Sequence, residues 1–127
     1  MKTSSAKAKG RKLQNLVRDK LRKAFEFLEP DDIKSQVMGM TGEDIVLSPA
    51  ARQHIPFSFE CKNVERLNFW ECIKQTEANR KDCTAPALVI KKNRREPYVA
   101  IPLDIFIDII EHLHYLEGYN YENIRDL

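Results

Sequence analysis

From Gly10 to Leu28 the apolar residues Leu13, Leu16, Val17, Leu21, Ala24, Phe25 and Leu28 recur at spacings of three and four. That spacing draws a single stripe along a helix. Lys12, Asn15, Asp19, Arg22, Lys23 and Glu26 fall mostly off the stripe, and Glu29-Pro30-Asp31 ends it. Residues 1–9 (MKTSSAKAK) are small, polar and basic, and read as a flexible arm. Residues 31–42 read as an irregular strand or loop punctuated by Gly39 and Gly42. Asp44 to Leu47 is a short strand stopped by Ser48-Pro49, and residues 50–56 form a loop or a single turn. In Phe57 to Lys62 apolar and polar residues alternate, which is the period of a strand. Residues 66–80 return to helical spacing, with Leu67, Trp70 and Ile73 expected to bury one side. Asn68, Cys72, Gln75 and Asn79 form a mostly polar stripe on another. Ala85 to Ile90 is an apolar run of strand length, Lys91 to Glu96 a charged turn, and Pro97 to Ile101 a further strand. Pro102 suits the first turn of a last helix, LDIFIDIIEHLHYL.

The predicted order is α-β-β-β-α-β-β-α, without internal repeats or a linker. It describes one α/β domain over residues 10–116, with a mixed central β-sheet flanked by helices. The strands on either side of the second helix favour a parallel crossover, and the early strands suit an antiparallel meander. Residues 117–127 form an acidic, aromatic C-terminal tail. The 127 residues suit one domain, and the 43% hydrophobic content supports a real core. No run approaches the roughly 18 apolar residues of a membrane span, and the N-terminus lacks a secretory apolar segment. A soluble, cytoplasmic protein with no membrane partner is expected. The three cysteines Cys61, Cys72 and Cys83 form no C-x-x-C pair and read as free thiols.

Charge changes the picture. Residues 1–23 carry nine Lys/Arg and one acid, whereas the rest of the chain carries twelve Lys/Arg and eighteen acids. A basic end on an acidic body suits either a polyanionic partner such as nucleic acid or a solubilising tail.

Asp44 and Glu60-Cys61-Lys62 carry the candidate chemistry. Residues i and i+2 of a strand share a face, so Glu60 and Lys62 act on one side and Phe57, Phe59 and Cys61 lie on the other. If the strands 44–47 and 57–62 pair as a hairpin, Asp44 sits beside Glu60. Two convergent carboxylates, with the Cys61 carbonyl as a third ligand, suit Mg²⁺, which prefers oxygen donors and keeps several waters. A dication there polarises a phosphate and acidifies bound water. Lys62 would orient or activate the attacking water or stabilise charge on the phosphate. An E-x-K on a strand is by itself also common as a solvated ion pair.

This layout resembles the PD-(D/E)xK nuclease superfamily, and more closely the archaeal-type Holliday junction resolvases and their small phage-borne relatives. The resemblance covers roughly residues 9–106. Lys9-Gly10 is similar to the family's K-G element, Asp44-Ile45-Val46 to its metal-binding Asp on a strand, and Phe59-Glu60-Cys61-Lys62 to its E-x-K. Gln75 is similar to the Gln of the following helix. Two positions depart from the pattern. Gln14 stands where the family commonly places a metal-binding Glu, and Glu43 rather than Pro precedes Asp44.

The resemblance implies a Mg²⁺-dependent endonuclease, with Mn²⁺ as a substitute, in which Asp44, Glu60, Lys62, Gln75 and Gln14 serve catalysis. It implies branched DNA as partner, a homodimer, and a phage protein acting in a host cytoplasm. Lys7, Lys9, Arg11, Lys12, Arg18, Ser35, Thr41 and Asn63 are the expected DNA contacts, made to the backbone rather than to base edges. Two alternatives stay open: a nuclease for nicked, flapped, single-stranded or linear DNA, and a DNA-binding protein whose nuclease site has decayed.

Overall fold

The computed structural model describes residues 3–116 together with 120, 122 and 124. The elements run α1 (Thr3–Ala24), a 3-10 turn (Pro30–Asp32), β1 (Ile33–Ser35), β2 (Ile45–Leu47), α2 (Pro49–Arg52), β3 (Phe57–Asn63), α3 (Phe69–Asn79), β4 (Ala85–Lys91), β5 (Tyr98–Ala100) and α4 (Leu103–His114). The expected α/β domain with helices around a mixed set of strands is what forms, with the short α2 added in the 50–56 segment. Ser48 makes α2 possible. Its hydroxyl oxygen accepts from the Ala51 amide, and Pro49 occupies the first turn. Asn68 caps α3 in the same manner through the Glu71 amide.

β3 and β4 are parallel, with Glu60 beside Leu88 and Lys62 beside Ile90. β5 adds to β4 in the antiparallel sense. β1 and β2 form a separate antiparallel pair, Ser35 beside Ile45. α1 lies over both sheets. Ile33, Ile45, Leu47, Ala51 and Ile55 make one buried cluster, against which Val17, Leu21, Phe25 and Leu28 of the α1 stripe pack. Leu13 of α1 closes a second cluster with Cys61 and Val89. The first helical stripe is therefore the lid of the core.

Two expectations are corrected. The segment read as a flexible arm is helical from Thr3 onward, so α1 starts seven residues before Gly10. Ala and Lys are strong helix formers, and the new turns are tied down: Asn63 Nδ2 donates to the Lys9 carbonyl and Lys9 Nζ lies 3.5 Å from Glu65. Trp70 does not bury a side of α3; it is 76% exposed. α4 has no buried residue at all, despite its apolar sequence. The C-terminal tail, expected over 117–127, lies mostly outside the described residues.

Candidate active site

β3 sorts its side chains by parity. Phe59 and Cys61 pack into the clusters under α1. Ser58 bonds Thr84 and the Lys81 amide on the opposite side, and Glu60 meets Asn79 of α3 there. Glu60 is only 5% exposed, and Lys62 Nζ stands 3.9 Å from its Oε1.

β4 occupies one edge of β3, and Asp44 approaches the other. The Asp44 amide donates to the Phe59 carbonyl at 2.8 Å. Its Oδ2 accepts from the Cys61 amide at 2.7 Å. The N–H and C=O of one residue in an extended strand point to the same edge, so the Cys61 carbonyl also lies on the Asp44 side. The expected hairpin between residues 44–47 and 57–62 does not form as a ladder. β2 pairs with β1 instead, and the α2 segment separates it from β3. Asp44 is brought close to Glu60 by its bonds to Phe59 and Cys61 at the strand edge rather than by a strand ladder. From α1, buried Gln14 lies close enough to the Asp44 carboxylate to help lower its pKa.

The two carboxyls hold each other's charge at a cost. Burial raises the pKa of Asp44, against the Cys61 amide, Lys62 and Gln14, which lower it. Burial, and then the charge of Asp44, pushes Glu60 up to about 7, with Lys62 and Asn79 opposing. Burial likewise pushes the Cys61 thiol up, so it is no nucleophile at neutral pH. Buried polar atoms are ordinarily paired. Glu60 Oε2 and Gln14 Oε1 are buried without a protein donor. Both are oxygens, both belong to this cluster, and both sit where negative charge is crowded. That donor set fits a hard dication. Among the described residues no group of three or more His, Cys, Asp or Glu converges, so such an ion would take two carboxylates, neutral oxygens and water.

A family model described as phage putative PDDEXK endonuclease matches residues 5–126. The chain belongs to this family. No curated protein and no solved structure matches it. Membership in this family points to nuclease activity on DNA, in a superfamily whose members generally use divalent metal ions. The match takes in the N-terminal turns and the C-terminal tail, beyond the residues 9–106 that carried the resemblance.

In this PDDEXK nuclease Asp44, Glu60, Cys61, Lys62 and Gln14 come together, and Gln75 does not join them. Gln75 is exposed and makes no hydrogen bond to the cluster. Asn79, one turn later on the same helical face, contacts Glu60 instead. The polar stripe Asn68-Cys72-Gln75-Asn79 was the sequence signal for it. Glu43, the residue in place of Pro, is 3% exposed and pairs with Arg52, which also donates to the Phe57 carbonyl. Arg52 therefore ties the start of β2 to the start of β3 and is not a free phosphate contact. His54 packs against Phe25 and Phe27. Of the expected DNA contacts, Lys7, Arg11 and Lys12 project from α1 into solvent, and Thr41 is exposed in the loop before Asp44. Arg18 pairs with Asp19, Lys9 with Glu65, and the Ser35 hydroxyl donates to Asn15. Asn63 is buried and braces α1, so its surroundings suit a structural role more than a DNA contact.

No helix is long and apolar enough to cross a membrane among the described residues.

Proposed function

We propose that this chain is a Mg²⁺-dependent endonuclease selective for branched DNA, resolving four-way junctions as a homodimer in the host cytoplasm. The meeting of Asp44 and Glu60 at the Cys61 edge, with Lys62 beside Glu60 and unpartnered oxygens on Glu60 and Gln14, carries the reading. Asp44, Glu60 and the Cys61 carbonyl would hold Mg²⁺, with Mn²⁺ as a substitute. The bound ion supplies positive charge that polarises the phosphate and acidifies a water. Lys62 stands ready to orient that water or to stabilise charge on the phosphorus oxygens. Gln14 would help orient Asp44, and Asn79 Glu60, on the two sides of β3. Gln14 leaves one acid fewer than the family pattern, which favours a single ion.

Symmetric cuts in a four-way junction need two active sites, which a two-fold dimer supplies. The apolar side chains that α4 and β5 leave in solvent support such a dimer. The test is cleavage of a panel of labelled DNAs in Mg²⁺ and in chelator. Paired nicks at symmetric positions of a four-way junction are expected. Preference for flapped, nicked, single-stranded or linear DNA would leave a nuclease but not a resolvase. Binding without cleavage in either metal would make the chain a DNA-binding protein with a decayed site.

A further inference from the structure

The turn between β4 and β5 holds four cations in five residues: Lys91, Lys92, Arg94 and Arg95 around Asn93. Among the described residues neither Lys92, Arg94 nor Arg95 enters an ion pair, and all three are exposed. Like charges this close repel, and the acids that face them are Glu96 in the turn and Glu65 against Asn93 and Lys92. The Arg95 amide donates to the Lys92 carbonyl, which closes a β-turn with Asn93 and Arg94 as its central residues. Arg94 has φ +63°. A positive φ at this position of such a turn favours Gly or Asn. A side chain held in the left-handed region is strained where a glycine is not. The turn thus carries strain and repulsion that a Gly would relieve, in exchange for one more exposed guanidinium.

The turn is also fixed in place. Glu65 accepts from the Asn93 amide at 2.7 Å and lies 3.5 Å from Lys9 Nζ, which locks the turn to α1. A groove of about 560 Å³ runs between them, lined by Lys9, Arg11, Lys12 and Lys91 together with Asp19 and Asn63. Lys91 pairs with Asn63, the residue after Lys62. From strand spacing and rise, the turn begins within about 6 Å of the Lys62 backbone. The turn therefore starts beside the end of β3, on the α1 face of Asn63, one strand residue on from Lys62.

We propose that the Lys91–Arg95 turn and the N-terminal turns of α1 form a two-sided clamp for the phosphate backbone of duplex DNA, with Arg94 as a purpose-held contact. The proposal rests on the DNA nuclease reading above. Neither wall reads bases; each supplies affinity that weakens with salt.

The test is anisotropy of a labelled duplex in chelator across a salt series, together with thermal melting. Lys92→Ala/Arg94→Ala/Arg95→Ala should lower affinity by roughly tenfold or more at low salt and flatten the salt dependence by about two to three units. Arg94→Gly should bind several-fold more weakly yet melt higher than wild type, a pairing that misfolding does not produce. Wild-type binding matched by both variants would overturn the clamp and leave the nuclease reading standing. Arg94→Gly melting lower than wild type would remove the strain that assigns Arg94. A wild type that neither binds nor cuts DNA would overturn both readings together.

Discussion

Two regions of this chain break the ordinary rule of apolar inside and polar outside, in opposite directions. Around β3 the molecule buries Gln14, Glu43, Glu60 and Asn63. Around β5 and α4 it exposes Tyr98, Val99, Leu103, Phe106, Ile107 and Ile110, with Trp70 of α3 nearby. A buried carboxylate without a donor and an exposed apolar helix are both costly in water. Each signals something that completes it. For the first region the missing partner is a cation and a polyanion. For the second it is an apolar surface, which the proposed dimer would supply. The site side is finished as a fold and unfinished as chemistry; the α4 side is the reverse.

The sharpest way to break this comparison is at the site itself. Glu60→Ala and Lys62→Ala should each lower DNA cleavage in Mg²⁺ by roughly a thousandfold, about 4 kcal/mol of barrier. DNA binding in chelator should change little, because the clamp lies elsewhere. Cleavage rates with labelled substrate check this. An equal loss of binding and cleavage would mean that the buried carboxylates serve the fold rather than the chemistry.

How much of this contrast the chain discloses depends on range. Helices and strands are set by local periodicity, and α1, β3, α3 and β4 stand close to where apolar spacing puts them. The i, i+2 relation of Glu60 and Lys62 is equally local. What crosses the fold was hidden. Asp44 reaches β3 through one backbone bond and one carboxylate–amide bond, not through a strand ladder, while β2 pairs with β1. The Glu43–Arg52 pair joins residues whose partnership no spacing announces. Gln75 and Asn79 differ by one helical turn, so the stripe was visible and the choice within it was not. Trp70 and α4 mislead because periodicity reports an apolar face without saying whether this chain or another covers it.

The next largest effect tests whether the buried polar region is held by design. Arg52→Ala removes the partner of a carboxylate that is 3% exposed and leaves its charge in the core. Loss of one member of a buried pair costs about 3 kcal/mol or more. Urea unfolding should show that loss, with cleavage falling at temperatures where the variant stays folded, since the β2–β3 junction positions Asp44. Arg52→Met, which keeps volume but not charge, should be as poor as Arg52→Ala. If it restores stability, packing of the stem and not the ion pair holds the junction.

On the other side of the comparison, Phe106→Glu with Ile110→Glu should convert a dimer to a monomer, by roughly 2–3 kcal/mol of association energy. Sedimentation velocity reads this directly. Junction cleavage should shift from paired cuts to single nicks, while cutting at one site per chain persists. A wild type that sediments as a monomer at its working concentration would sink the dimer and leave the α4 surface for a different protein.

The smallest effect probes the charge crowding around Glu60 without any substrate. Its folded pKa stands at about 7, above the ordinary 4.5, because burial and Asp44 disfavour the anion. The folded protein therefore binds the proton more tightly than the unfolded chain does. Above pH 7 both states are ionised and the folded state bears the full penalty. As pH falls from 7 towards 4.5 the folded state takes up its proton first and the penalty fades; below 4.5 both states are protonated and none remains. The shift sets a ceiling near 3 kcal/mol, and about 2 kcal/mol is expected once water in the cleft is allowed for. In chelator, Glu60→Gln should thus melt above wild type at pH 8, with the gap closing as pH falls to 5. Asp44, raised in the same direction, titrates with Glu60 as a pair and broadens the transition. Mg²⁺ should reverse the order at pH 8, because the ion stabilises the charged form that Gln lacks. A gap that stays constant with pH, in metal and in chelator alike, would show that Glu60 is held as an ordinary buried polar group and that the site has no cation to wait for.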